Sequence, residues 1–313
     1  MTAFVTLGEA SLRLSPPGHG RLETARRLEV HVTGAESNAA VVASRLGCDA
    51  TWISRLPDTP LGRRVAGELR EYGLDVEVTW ASGRQGLTFY ERAGEPRGDR
   101  RIEDRANSAV ADATARALPL SLAESADVAY ATGLSPSISP AMAGAAATFL
   151  KTAAQSGVRT AFGLNFREEL WDPTEARETL TALFPVVDVF LASERDVAAV
   201  LDREGRPSEV AHGLATEWDF ETVALWRDHG ASIWQDATLY DYPWPKVDVV
   251  DPTGADDAFA GALVAALLDG DDASRALKTG MAAASLARTV PGPVATLDAP
   301  DVERVAATVG EDD

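Results

Sequence analysis

Short apolar runs alternate along this chain with longer stretches in which apolar residues return every third or fourth position. The runs have the length and composition of buried strands. The longer stretches have the period of helices packed on one face. Strands are expected at Phe4 to Leu7, Thr51 to Ser54, Val128 to Ala131, Arg159 to Leu164, Val187 to Ala192 and Thr222 to Trp226. Helices are expected at Ser37 to Leu46, Gly62 to Tyr72, Ser139 to Gln155, Thr174 to Leu183, Glu194 to Leu201, Asp257 to Leu268 and Ala273 to Val290. Ser37, Asn38 and Asp257 serve as cap or first-turn residues. Strand and helix in alternation predict a layered α/β fold around a mostly parallel sheet.

Two stretches break the rhythm. Residues 12–33 hold Pro16, Pro17, Gly18 and Gly20 ahead of alternating Leu28, Val30 and Val32, and residues 76–107 hold Thr79, Thr88, Phe89 and Tyr90 among glycines. Both read as short strands separated by turns. On patterning alone they are surface hairpins; the sharper reading pairs them into a small sheet that covers a site. Glu311, Asp312 and Asp313 are expected to fray.

Length and charge narrow the choices. The 313 residues suit one large α/β domain or two modest ones. No apolar run approaches the roughly 18 residues that cross a bilayer. The opening MTAFVTLGEA lacks the basic-then-apolar pattern of a secretory signal. Cys48 is the only cysteine, which excludes an intrachain disulfide and a cysteine metal cluster. These features point to the cytoplasm. The net charge is −19, and of 29 basic residues only Lys151, Lys246 and Lys278 are lysines. Such a chain repels nucleic acid and anionic membranes, so neither is expected as a partner. Any phosphate site must then work through local groups. Acid-rich, lysine-poor surfaces resemble those of proteins from salt-loving organisms, where salt screens the self-repulsion.

Several chemistries are disfavoured. His19, His31, His212 and His229 show no metal-ligand spacing, there is no Gly-x-x-x-x-Gly-Lys-Ser/Thr, and no Gly-x-Gly-x-x-Gly follows the first strand. The strongest positive signal is Asp251-Pro252-Thr253-Gly254-Ala255-Asp256-Asp257-Ala258-Phe259, which follows a β-like run and opens a helix. Small residues at Gly254 and Ala255 let backbone N–H groups approach a ligand, and with the helix N-terminus they suit an anion. Asp257, in the first turn, is placed to accept a proton from a hydroxyl attacking a phosphoryl group. Read alone, the segment is first of all a helix start with acidic caps.

This segment resembles the second signature of ribokinase-type (PfkB) sugar kinases, Asp-Thr-Thr-Gly-Ala-Gly-Asp-Ala-Phe. Gly34-Ala35-Glu36-Ser37-Asn38-Ala39-Ala40, followed by Leu46-Gly47, resembles the first signature. Leu56-Pro57-Asp58, Tyr72-Gly73-Leu74-Asp75 and Thr289-Val290-Pro291-Gly292 extend the likeness over the whole chain. Within the superfamily the look-alikes are 2-keto-3-deoxygluconate kinases, through Gly8-Glu9, Leu12 to Pro17, Arg105, and Asn165-Phe166-Arg167 with Leu170-Trp171.

The resemblance implies one ribokinase-like α/β/α domain over residues 1–313, with a β lid from about 12–33 and 76–107. It implies ATP and Mg²⁺, the metal held largely through water rather than by a protein metal site. Asp257 would be the base, with the amides of Gly254, Ala255 and Asp256 facing the phosphoryl group. Gly34 and Asn38 would hold hydroxyls, and Arg105 and Arg167 the carboxylate of a sugar acid. Ser193, Arg227, Gly230 and Asp251 would flank the nucleotide, and the lid would pair two subunits. The chain departs from the family pattern at Asp256 (usually Gly), Gly163 (usually Asp), Glu103 and Asp104 (usually paired tyrosines) and Met281 (often Asn). Ser193 to Asp196 stand for Asn-x-x-Glu, and Trp226 to Gly230 for a Gly-x-x-Gly turn. A kinase for a neutral sugar or nucleoside, or a binding protein without phosphotransfer, stays open on the residues alone.

Overall fold

The computed structural model describes residues 3–94 and 96–311, so Asp312 and Asp313 lie outside the described residues. The chain begins with β1 (Ala3–Leu7), β2 (Ser11–Ser15), β3 (Glu29–Thr33), α1 (Ala35–Arg45), β4 (Asp49–Pro57), α2 (Pro60–Glu71), β5 (Asp75–Ala81), β6 (Leu87–Glu91) and β7 (Arg100–Asp104). It continues through β8 (Val128–Thr132), α3 (Pro140–Gln155), β9 (Arg159–Gly163), α4 (Pro173–Thr181), β10 (Val189–Ser193), α5 (Glu194–Leu201), α6 (Pro207–Trp218) and β11 (Thr222–Arg227). It closes with β12 (Gly230–Gln235), β13 (Thr238–Pro243), α7 (Ala255–Leu268), α8 (Ala273–Ala287) and α9 (Ala299–Thr308).

Nine strands form one sheet in the order β13-β12-β11-β10-β9-β8-β1-β4-β5. All pairings are parallel from β5 across to β11, and β12 and β13 add an antiparallel edge. Alternate strand residues feed opposite layers. Phe4 and Trp52 pack with α1, α2, α7 and α8; Val5, Leu7 and Ile53 pack with α3 to α6. Helices on both faces are why the central strands read as unbroken apolar runs: all five residues of β8 are buried. The helix starts follow local chemistry too, since Thr59, Ser139, Ser193 and Asp272 each accept a first-turn N–H.

Four further strands form a second sheet, β3-β2-β6-β7. Its register divides the residues cleanly. His31 faces Arg13, Arg13 faces Thr88, Thr88 faces Glu103 and Tyr90 faces Arg101, so one surface is polar. Val30, Leu14, Phe89 and Ile102 form a row on the other. Leu12 and Val32, also on that surface, are buried in the main core.

Three expectations need correction. The second lid segment was expected to start at about residue 76, but β5 pairs in parallel with β4 along its whole length and belongs to the main sheet. Helix α1 starts at Ala35, because Gly34 caps it rather than Ser37. Helix α8 ends at Ala287, where Arg288 closes the last turn ahead of Pro291. Strands β12 and β13 and helices α6 and α9 were not anticipated.

Helices α1 and α7 meet backbone to backbone: a Cβ on Gly261 would lie 2.3 Å from the carbonyl oxygen of Ala39. Gly261→Ala is therefore expected to push the two helices apart at a cost of about 2 kcal/mol. The measurement is the denaturant midpoint at fixed salt, which should fall with the slope unchanged. A midpoint equal to wild type would show that the contact has slack.

Candidate active site

The polar surface of the small sheet roofs a cavity of about 350 Å³ whose floor includes the N-terminus of α7. The loop into α7 is held open by glycine geometry. Gly254 has φ 78°, and a Cβ there would lie 2.0 Å from the Pro293 carbonyl oxygen. Both features demand glycine. The N–H groups of Ala255, Asp256 and Asp257 find no acceptor among the described residues, as expected for a helix start. They present an uncommitted positive helix end to the cavity floor.

Asp257 lines the cavity, half-buried. Asn38, in the second turn of α1, donates to its Oδ2 at 2.8 Å and to the Pro293 carbonyl at 3.1 Å. Burial pushes the Asp257 carboxyl up to about 6; the Asn38 bond and the nearby Arg167 oppose that rise. The remaining oxygen, Oδ1, is left for a ligand. Neighbouring Glu36 is fully buried and accepts from Thr132 N and Oγ1 and from Ser135 Oγ, tying α1 to the end of β8. Burial raises its carboxyl to about 7.

The loop before α7 is braced from above. Asp251 Oδ1 accepts from Thr253 N and Oγ1, and its Oδ2 accepts from Gly292 N and Arg13 Nη2, each at 3.1 Å or less. Arg13 also donates to Thr253 Oγ1 at 2.5 Å and lies over the Tyr90 ring. This buried ion pair fastens the lid sheet to the helix start.

The far wall is basic. Arg101, Arg105 and Arg167 all line the cavity. Arg105 is 5% exposed and pairs with Glu9 and with Glu103, at 2.6 Å for the latter, while donating to Thr88 Oγ1 at 3.1 Å. Arg167 has no carboxylate within ion-pair distance among the described residues. Arg101 and Arg167 also border a second cavity of about 280 Å³ that contains Arg195 and Asp196. Asp196 is buried, accepts the Phe166 N–H on Oδ2, and has no hydrogen-bond partner on Oδ1.

Six of the residues singled out in the sequence meet at the first cavity: Gly34, Arg105, Arg167, Gly254, Asp256 and Asp257. Six do not. Ala255 is 2% exposed with its side chain in the core, although its N–H, the group singled out in the sequence, belongs to the open start of α7. Asn38, expected to hold a hydroxyl, is 2% exposed and spends its amide on Asp257 and Pro293. Asp251, expected beside a nucleotide, has both oxygens committed to Thr253 in its own loop, to the Gly292 N–H and to Arg13. Ser193 caps α5 through Asp196 N. Arg227 turns to Asp241, at 2.6 and 2.8 Å, rather than towards the cavity. Gly230 is needed because a Cβ would strike the Tyr242 carbonyl oxygen at 2.2 Å. Arg13, Thr88, Tyr90, Arg101 and Asp196 were missed as site residues. The polar alternation Arg13/Ser15, Thr88/Tyr90 and Arg101/Glu103 was the available signal for the roof.

Comparison with known proteins agrees with this geometry. A family profile described as pfkB family carbohydrate kinase matches residues 1–300. A Haloferax volcanii protein named 2-dehydro-3-deoxygalactonokinase is 45% identical over 308 residues, 97% of each chain. A Thermoproteus tenax 2-dehydro-3-deoxygluconokinase is 31% identical, covering 96% of this chain and 92% of its own. The crystal structure of a Thermotoga maritima 2-dehydro-3-deoxygluconokinase superposes with a TM-score of 0.93 at 28% identity, covering 98% of both chains.

Because the Asn38 N–H favours the ionised form of Asp257, removing it should raise that carboxyl further. Asn38→Ala is expected to move the acid limb of the kcat/KM–pH profile upward from about 6. A shift of roughly one unit corresponds to about 1.4 kcal/mol. An unmoved limb would mean that another group sets it.

Proposed function

The chain belongs to the pfkB family of carbohydrate kinases, phosphotransferases with an alcohol acceptor, and we propose that its acceptor is a 2-keto-3-deoxy sugar acid phosphorylated at the expense of ATP with Mg²⁺. The observation that carries this reading is the guanidinium wall facing Asp257 across one cavity, where Arg101 and Arg167 have no hydrogen-bonded carboxylate among the described residues, in a chain of net charge −19. A neutral sugar needs no guanidinium wall, whereas a carboxylate is well matched by one. The 45% identity to a galactonate-type kinase, against 31% to a gluconate-type one, favours 2-keto-3-deoxygalactonate over the gluconate expected from the motifs. The two acids differ at one carbon.

In this reading Asp257 Oδ1 takes the proton from the attacking hydroxyl as that oxygen bonds to the γ-phosphorus and the bridging P–O bond breaks. The free N–H groups at the start of α7 steady charge on the phosphoryl oxygens in transfer. Asp256 is exposed beside them, where a counterion has room to screen it. Asp196 is the carboxylate that would hold Mg²⁺: its buried Oδ1 accepts no hydrogen bond and has only Arg195 Nη2 at 3.5 Å, and the described residues hold no group of three acidic, His or Cys side chains to cage a metal. Held there through a single protein carboxylate, Mg²⁺ would supply charge neutralisation for the phosphates.

The experiment is an ADP-release assay with 2-keto-3-deoxygalactonate, 2-keto-3-deoxygluconate, ribose, fructose and adenosine. Activity should be confined to the two acids, with the galacto form preferred, and should fall about 1,000-fold or more in Asp257→Ala. Turnover of neutral sugars alone, or full activity in the variant, would refute the reading.

The row Leu14, Phe89 and Ile102 on the outer surface of the lid, with Ile102 55% exposed, supports a homodimer formed through the lid. Ile102→Glu is then expected to halve the mass measured by light scattering; an unchanged mass would exclude this surface.

A further inference from the structure

The arginines on the cavity wall are not equivalent. Arg105 has all three nitrogens engaged, by Glu9, Glu103 and Thr88, and is almost fully buried. Counted with its two carboxylates, that group carries a net charge of −1. It cannot select an anion. Arg13 is likewise balanced by Asp251. Arg101 differs. It follows Arg100 on β7, lies opposite Tyr90 in the register, and its side chain is 29% exposed. Its guanidinium is stacked at 5.9 Å from the Tyr90 ring, and its nearest carboxylate oxygen is Glu103 Oε1 at 3.8 Å, beyond hydrogen-bond reach. Arg101 and Arg167 border the same two cavities, and burial together with the nearby Arg167 lowers the affinity of Arg101 for its proton. Glu103 and Glu169 stand near the two cations, and Glu169 borders both cavities, but among the described residues neither carboxylate forms a hydrogen bond to Arg101 or Arg167, so both guanidinium groups keep donors for an incoming carboxylate.

We propose that Arg101 and Arg167 form the pair that grips the carboxylate of the substrate, and that Arg105 is a positioning residue that holds the lid strands β6 and β7 against Glu9. The inference rests on the sugar-acid reading above. It assigns a specificity role to Arg101, which no motif marks, and removes direct charge recognition from Arg105. Glu103 acquires a purpose as well: it neutralises Arg105, so that the free positive charge sits on its strand neighbour two residues earlier.

The test compares each acid with the matching neutral sugar that bears a hydroxymethyl group in place of the carboxylate. The readout is the ratio of kcat/KM for acid over neutral substrate, which cancels general damage to the site. Arg101→Gln is expected to lower this ratio about tenfold or more, mainly through KM for the acid, and Arg101→Lys to keep part of the preference. Arg105→Gln is expected to lower the melting temperature and to reduce both substrates alike, because it strands two buried carboxylates. A wild-type enzyme selective for acids whose ratio is unchanged in Arg101→Gln overturns this inference alone. A ratio that collapses in Arg105→Gln with no loss of thermal stability overturns the division of roles. A wild-type enzyme that takes neutral sugars and no acid overturns the substrate reading, and this inference with it.

Discussion

The site depends on how closely α7 can approach its neighbours. At Gly254 and Gly261 the missing side chains let carbonyl oxygens of Pro293 and Ala39 come within 2.0 and 2.3 Å of where a Cβ would be. These contacts lay α7 directly against α1 and the 293 segment. Asn38 then lies within reach of both, and one amide nitrogen bonds the Asp257 carboxylate and the same Pro293 carbonyl that Gly254 accommodates. Placement of the carboxylate is thus a consequence of backbone packing, and the hydrogen bond makes it rigid. Interiors packed at crystal-like density transmit such constraints without slack.

Electrostatics act on a different length scale. A net charge of −19 gives the molecule a repulsive field for anions. That field is screened over about 8 Å in physiological salt. Inside the cavity the nearest charges decide, and they are guanidinium groups whose partners are arranged unevenly. Arg13 and Arg105 are matched by buried carboxylates and act as fasteners between lid and core. Arg167 has no such match. The distribution of counterions, rather than the number of arginines, therefore determines where an anion is attracted.

Much of the main sheet could be read from the sequence because its strands are buried on both faces and written as continuous apolar runs. The helices after Thr59, Ser139 and Asp272 carried caps as well as period. Strand β13 is a half-exposed edge where polar residues interrupt the run, and β12 beside it, though largely buried, is short and broken by Gly230 and Ser232. Strand β5 is also an edge, and its alternating exposure made it look like part of the lid. Helix α6 did show Val210, Ala211, Leu214 and Ala215 at helical spacing behind a proline, so that signal was present and passed over. At the site, Asp257 was legible because one segment contains both its helix and its loop. Arg13 and Arg101 were not, because their shared surface exists only once β2, β6 and β7 are paired in register. The commitment of the Asn38 amide to Asp257 is likewise a tertiary fact.

The departures from the family pattern make sense as compensated sets. The position expected to carry Asp is Gly163, and there the Tyr130 hydroxyl stands 2.9 Å from where a Cβ would be, occupying the space. Glu103, in place of a tyrosine, is answered by Arg105 and Thr88. Asp104 turns outward to Arg84, at 2.5 Å. Arg227, the residue that could have obstructed a nucleotide, is drawn sideways by Asp241. Asp256 has no such partner among the described residues, but it is exposed, where an unpaired carboxylate costs little. The replacements that are buried are thus paired, beside an acidic group held in place by Asn38, and the reshaped pocket carries its altered charges without stranding one in the interior.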